Sequence, residues 1–344
     1  MDNTIIGRWE KRWHPLRMEW VVYAAHRNSR PWSFDKKEVT AQAPAYDPKC
    51  YLCPGNTRIS GLKNPDYTEV YIFDNDHPVV GSQAPDIQPQ SRHLHDGLYQ
   101  KQKAEGIARV VCYDPRHNVT LSEVSVVQVA KVFEAWRSQM AYFQKHDKIT
   151  NVLIFENKGE LVGVSSPHPH CQIYATDYVM PTIATELQAM KMYKNDVGKN
   201  IFEAIIKAEL HDEMRIIAQN DNAMAFIPFF ARFAYEMYIF PKVRHATLAT
   251  MTDTELYDMA QVFHTVINKY DKNFQMSFPY IMVIHQAPVD GSNYEDYHLH
   301  INILPPLRQP GLVKYLAGPE TGAGAFMADT MPEDKAAELR AVFL

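Results

Sequence analysis

The chain has 344 residues, of which 46% are hydrophobic and 22% charged, with a net charge of −5. Those values fit one large or two ordinary globular domains with a full core. The acidic balance supplies no global basic field for nucleic acid, and no apolar run reaches the roughly 18–20 residues that span a bilayer.

The first residues, MDNTIIGRWEKRWHP, lack the apolar stretch of a secretory signal. There are four cysteines, two of them in Cys50-x-x-Cys53. In a chain with no export signal, that pattern favours metal or redox chemistry over structural disulfides, so a cytoplasmic location is expected.

In chain order, residues 1–60 are rich in Pro, Arg and Trp and predict an irregular lead-in. Residues 69–80 predict a strand running into a turn, and 107–117 a strand ending at Asp114-Pro115. Residues 120–146 predict a long amphipathic helix with a Thr120/Glu123 capping box. Residues 151–176 give two β-like runs around a turn, with His168 and His170 entering the second.

A similar series follows. Residues 222–230 predict a strand, 235–270 a strand and helix, and 280–306 a strand pair ending in His298-x-His300. This large period implies duplication of one α/β unit rather than a solenoid. The intervening 182–213 segment predicts helix, and a final helix is expected near 332–342.

Two constellations can carry chemistry. Cys50 and Cys53 can grip one Zn²⁺, which needs two more ligands, or serve as a redox pair. His117 and His168 are natural partners for a metal, since each lies near a strand end beside a proline. In SSPHPHCQ, His168 and His170 fall on one strand face, and Pro167 and Pro169 stiffen the backbone. Pro169 cannot donate to a ladder, which predicts an edge or irregular strand. The pair suits either a preorganised nucleophile or metal ligands. A neutral imidazole can attack phosphorus if one nitrogen is free and the other donates to a fixed acceptor. Ser165, Gln172, Arg27 and Arg30 are the nearby or cationic groups available to phosphoryl oxygens. In the second copy, His285, His298, His300 and Asn302, with Glu186 from the middle helix, form another set suited to Zn²⁺ or Fe²⁺.

Taken together, SSPHPHCQIYA, CYLCPGNTR, KNPDYTEVYIFDND and IFENKG resemble the galactose-1-phosphate uridylyltransferase family of the histidine-triad superfamily. The likeness runs from about Arg17 to the C-terminal helix. It implies an α+β fold of two tandem histidine-triad-like α/β units with mostly antiparallel sheet, assigned to residues 1–181 and 182–344. It implies a ping-pong nucleotidyl transfer from UDP-glucose to galactose 1-phosphate through a uridylyl-histidine, as in galactose metabolism. By motif, His170 is the nucleophile, and Cys50, Cys53, His117 and His168 hold a structural zinc. Ser165, Gln172, Arg27 and Arg30 match phosphate contacts, and Leu52, Asn75, Asp76 and Asn157 match the uridine side. The resemblance also implies a homodimer with shared active sites, in which Lys314, Tyr315 and Glu320 match a hexose-contacting segment.

Three departures stand out against that pattern. Asn302 occupies the place of the third histidine beside Glu186, His285 and His300, leaving His298 as a substitute ligand for the second Zn²⁺ or Fe²⁺. Pro319 stands where the hexose segment has a tyrosine, and a glutamine of that segment is replaced near Phe326, which keeps another sugar phosphate, or an ADP-glucose phosphorylase activity, as the alternative. Cys171 replaces a glycine, and its side chain is expected to face away from the nucleophile.

Overall fold

A computed structural model describes residues 8–25, 43–87, 98–164 and 166–344. The expected irregular lead-in is corrected over its first described stretch, where β1 (Trp9–His14) pairs antiparallel with β2 (Glu19–Ala24). Period-2 alternation explains the hairpin. Arg12, His14, Val21 and Tyr23 turn inward and are buried, while Trp9, Trp13 and Trp20 stay exposed.

The remaining strands are β3 (Tyr71–Asp74), β4 (Gly106–Cys112), β5 (Asn151–Lys158), β6 (His170–Thr176), β7 (Ile216–Gln219), β8 (Ala223–Phe226), β9 (Met237–Pro241), β10 (Tyr280–His285), β11 (His300–Leu304), β12 (Leu307–Gln309), β13 (Leu312–Val313) and β14 (Met327–Ala328). Among the described residues, nine of them form one sheet in the order β3-β4-β6-β5-β10-β11-β9-β8-β7. Every pairing in it is antiparallel. The order is a near-palindrome about the β5–β10 seam, as the internal repeat in the sequence requires. The fold is therefore α+β and mostly antiparallel.

The first long helix, α1 (Val126–Phe143), is shorter than the predicted 120–146. Ser125 is the true cap, its hydroxyl accepting from the Gln128 amide at 3.2 Å. Thr120 and Glu123 close a separate turn instead, with Thr120 N–H donating to the Glu123 carboxylate at 2.8 Å. The middle segment forms α2 (Pro181–Val197) and α3 (Ile201–Asp212), parted at Gly198, whose φ is +72°. In the second half, α4 (Asp253–Phe274) carries a complete Thr252/Glu255 capping box. The chain ends in α5 (Pro332–Arg340).

Helices α1 and α4 lie side by side on one sheet face, with Phe133 and Phe263 5.7 Å apart edge-on. One continuous apolar core runs beneath both halves, joining Trp136, Cys171 and Ile173 to Met237, Val266 and Ile301. On the other face, α2 and α3 cover the second half through Ile183, Phe202 and Ile205 packed against Tyr238 and Phe240. The corresponding residues of the first half stay partly exposed along β5 and β6. The hairpin falls early in the sequence but packs on late residues. β14 runs parallel to β2, and Arg12 forks onto the Glu333 carboxylate at 2.9 and 3.2 Å.

Candidate active site and metal centre

Strand β6 sets the site by alternation. Cys171, Ile173 and Ala175 enter the core, while His170, Gln172 and Tyr174 turn to the uncovered face. Cys171 points away from the His170 side chain, as expected, and its sulfur accepts from Trp136 Nε1–H at 3.2 Å. The expectation of an edge strand is corrected, because β6 lies between β4 and β5. Pro169 sits one residue before the strand begins, where its missing N–H costs no ladder bond, and its carbonyl accepts from Tyr113 N–H at 3.0 Å.

The cleft comes from strands that part. β5 and β6 pair from Asn151/Thr176 to Phe155/Gln172, but His170 keeps only its partner Cys112 on β4. Beyond that point the gap is lined by Phe155, Asn157, Gly163, Val164, His170 and Gln172. The chain leaves β5 at Gly159, whose φ is +95°, and a Cβ there would lie 2.9 Å from Pro279. Only glycine meets both demands without strain.

His170 Nδ1 lies 2.8 Å from the His168 carbonyl oxygen. A carbonyl only accepts, so Nδ1 carries the proton and Nε2 holds the lone pair. Burial holds the His170 imidazolium below its ordinary value, which keeps the ring neutral near pH 7. Gln172 Oε1 accepts from Asn75 Nδ2 at 3.3 Å and from the Tyr174 hydroxyl at 3.1 Å. With that oxygen taken, the Gln172 amide hydrogens are the part left for an anion. Asp76 accepts from Ser60 N–H at 3.3 Å, and Leu52 is buried beside Val110 and Cys112. Arg27, Arg30 and Ser165 lie outside the described residues.

Beside the cleft, one ligand atom from each of Cys50, Cys53, His117 and His168 gathers within 4.8 Å of the others, all buried. Cys53 Sγ lies 3.7 Å from His117 Nδ1 and 3.6 Å from His168 Nδ1. A tetrahedral zinc with ordinary bond lengths sets sulfur and nitrogen about 3.6 Å apart, so the spacing fits that ion. Both cysteines are free thiols, and burial pushes Cys53 up to about 11, so a thiolate there requires a cation at hand. His168 Nε2 is fixed from behind by the Asp114 carbonyl at 3.1 Å and the Tyr67 hydroxyl at 2.9 Å. That leaves Nδ1 as the lone-pair nitrogen facing Cys53.

In the second half, Glu186, His285 and His300 form a buried group of the same compactness. His285 Nδ1 is 2.7 Å from Glu186 Oε1, and Tyr297 hydroxyl donates to Oε2 at 2.5 Å. His300 Nε2 lies 3.8 Å from Glu186 Oε1, and both it and Asn302 Oδ1 are buried with no hydrogen-bond partner among the described residues; the Glu186, His285 and His300 donors fit a cation. Asn302 Nδ2 is given to Glu236 at 3.2 Å. His298, expected as a substitute ligand, is corrected: it stands outside the group and packs edge-on to Phe240 at 5.3 Å and Phe202 at 6.3 Å. It precedes β11, so alternation with His300 no longer holds its ring on the ligand side.

In the C-terminal segment, Tyr315 is exposed while Lys314 is buried. Lys314 Nζ donates to the Arg232 carbonyl at 2.9 Å and lies 3.9 Å from Glu320, and burial pushes it down to about 8. Sequence reasoning assigned no role to Tyr67, Asp114 or Phe155. The first lies in KNPDY and the last in IFENKG, so the motifs were noticed while the side-chain contacts were not.

Comparison with known proteins follows the same lines. The family model described as galactose-1-phosphate uridyl transferase, N-terminal domain, matches residues 2–181, and its C-terminal domain model matches 186–343. The galactose-1-phosphate uridylyltransferase of Haemophilus influenzae is 35% identical over 334 residues, covering 96% of this chain and 94% of its own. That of Rattus norvegicus is 34% identical, covering 96% and 86%. A solved uridylyltransferase structure superposes with a TM-score of 0.77 at 32% identity, covering 96% and 97%. An Arabidopsis thaliana ADP-glucose phosphorylase with bound ADP-glucose shares the fold, with a TM-score of 0.77 at 23% identity over 98% and 100%.

Proposed function

The chain belongs to the galactose-1-phosphate uridyl transferase family, and from that premise we propose that it moves a uridylyl group from UDP-glucose to galactose 1-phosphate through His170. The observation that carries the assignment is the bond from His170 Nδ1 to the His168 carbonyl, beside an open cleft. It leaves Nε2 neutral, aimed and unprotonated, as a nucleophile at phosphorus must be.

In the first half-reaction, Nε2 attacks the α-phosphorus of UDP-glucose. The Nε2–P bond forms, the P–O bond to glucose 1-phosphate breaks, and glucose 1-phosphate leaves with that electron pair. The proton stays on Nδ1, donated to the His168 carbonyl, so no separate base is needed. In the second half-reaction, a phosphate oxygen of galactose 1-phosphate attacks the same phosphorus, and the N–P electrons return to the ring. Gln172 supplies amide hydrogens to the non-bridging oxygens, with Ser165, Arg27 and Arg30 assigned to the same charge. Asn157 and Phe155 line the cleft, and Asn75, Asp76 and Leu52 belong to the uridine side.

Zinc held by Cys50, Cys53, His117 and His168 is structural, since four protein ligands leave no open position. Glu186, His285 and His300 hold a second cation, with zinc or ferrous iron the ions that suit the set. The chain functions as a cytoplasmic homodimer of two tandem units divided near residue 181, with Tyr315 and Glu320 reaching the partner's hexose. Among the described residues, no helix is long and apolar enough to cross a membrane.

The test is intact-mass analysis after separate incubation with UDP-glucose and ADP-glucose. A uridylyl adduct lost on addition of galactose 1-phosphate is expected. An adenylyl adduct alone would overturn the assignment in favour of ADP-glucose chemistry.

A further inference from the structure

Three segments meet at the Tyr67 hydroxyl. It lies 2.7 Å from the Leu52 carbonyl, between the two ligand cysteines, and 2.9 Å from His168 Nε2. Proton logic orders these contacts. The Asp114 carbonyl, 3.1 Å from the same Nε2, only accepts, so Nε2 must carry hydrogen. The Tyr67 oxygen therefore accepts from His168, and its own hydrogen goes to Leu52. The ring is held in turn, stacked on Tyr71 at 4.9 Å.

We propose that Tyr67 is a positioning residue that clasps the Cys50–Cys53 loop to His168, and through the His168 carbonyl aims His170. The chain of contacts is continuous: Leu52 carbonyl, Tyr67 hydroxyl, His168 ring, His168 carbonyl, His170 Nδ1. It joins the base side of the cleft to the attacking nitrogen. Hydrogen bonds to the far nitrogen of a ligating histidine fix its ring and raise its basicity. Removing the hydroxyl leaves the Asp114 carbonyl as the one remaining hold on His168 Nε2 among the described residues and unties the Cys50–Cys53 loop from the ring, which loosens the segment whose carbonyl sets the His170 tautomer.

The kinetic half of this inference rests on the uridylyl-transfer reading; the zinc half does not. The test compares the purified full-length protein with Tyr67→Phe, using Tyr71→Phe as a control that leaves the clasp intact. Zinc release to a chromogenic chelator is followed alongside the single-turnover rate of adduct formation from UDP-glucose. For Tyr67→Phe, release about tenfold or more faster is expected, with slower adduct formation and little change in the UDP-glucose concentration dependence. For Tyr71→Phe both rates should match the parent. Both Tyr67→Phe rates within about twofold of the parent would overturn the proposal, as would purified parent protein without zinc.

A measurement on the parent alone covers the case of a variant that does not fold. Long-range ¹H–¹⁵N correlation should show His168 protonated at Nε2 and ligating through Nδ1, and the opposite tautomer would also overturn the clasp. If the parent forms no adduct while Tyr67→Phe still sheds zinc faster, the functional reading fails and the clasp stands.

Discussion

The Nδ1–H of His170 donates to the carbonyl of His168 at 2.8 Å, so a residue of the candidate metal centre fixes the tautomer of the proposed nucleophile. The second half repeats the bond, with His300 Nδ1 3.1 Å from the His298 carbonyl. The two imidazoles differ in what covers them. His170 borders an open cleft, whereas His300 lies under Phe240 at 4.8 Å, Tyr238 at 5.4 Å and Phe202 at 5.8 Å. One local geometry thus yields a ring that borders a cleft on one side and a fully buried ring on the other.

Replacing the nucleophile separates chemistry from fold. His170→Gly is expected to abolish the uridylyl adduct and lower turnover about 10⁴-fold or more. Zinc content and the melting curve should stay near those of the parent, because the metal ligands are untouched. An adduct that survives the substitution would move the attack to another residue.

Zinc removal acts on stability as well as rate. The four proposed ligands come from a loop, from His117 and from the segment just before β6, and without an ion their buried lone pairs and thiols would lack a shared partner. Chelation should lower the melting temperature by several degrees together with activity. Lost activity over an unshifted melting curve would contradict a structural role.

Glu156 sets a pH dependence of folding. It is buried on the helix-facing side of β5, where it accepts from the Tyr280 hydroxyl at 3.2 Å, and burial pushes it up to about 7. Its unfolded value is the lower one, near 4.5. Between those two values the folded chain holds a proton that the unfolded chain releases, so stability falls as pH rises through the window. The fall amounts to about 3 kcal/mol by pH 8. In urea denaturation at pH 5 and pH 8, Glu156→Gln should be less pH-sensitive than the parent by about 2–3 kcal/mol, since pH 5 already lies above the unfolded value. Equal sensitivity in the two proteins would rule the carboxyl out.

His298 is a site for stabilisation. Both of its ring nitrogens are buried without a partner among the described residues, against Phe202 and Phe240. An unpaired buried polar atom costs free energy that an apolar side chain avoids. His298→Leu should raise stability by about 1–2 kcal/mol with second-site metal content unchanged. Loss of that metal on substitution would return His298 to the ligand set.

Much of the chemistry was legible in local patterns. CxxC spacing, the His-x-His pair and the strand that holds it follow from residue type and period-2 alternation, and so does the inward turn of Cys171. The errors have physical causes. The hairpin of Trp9–Ala24 alternates locally, but buried Arg12 and His14 and exposed Trp9, Trp13 and Trp20 blur its apolar face. The β14 strand that extends it lies some three hundred residues away in sequence. The start of α1 was misplaced because Thr120/Glu123 and Ser125 offer competing caps only a few residues apart. His298 was counted as a ligand by strand alternation before its strand begins.

By itself the sequence determined the repeat and the residue types of both histidine clusters, while the antiparallel α+β character was implied by the family resemblance. Only the tertiary structure decided which cluster meets solvent. The β5–β6 ladder parts beyond Phe155 and Gln172, which exposes His170 to a cleft. On the same face of the second half, α2 and α3 bury His300 beneath an aromatic layer. That distinction depends on which helices cover which half-sheet, a long-range packing outcome that spacing within either repeat does not encode.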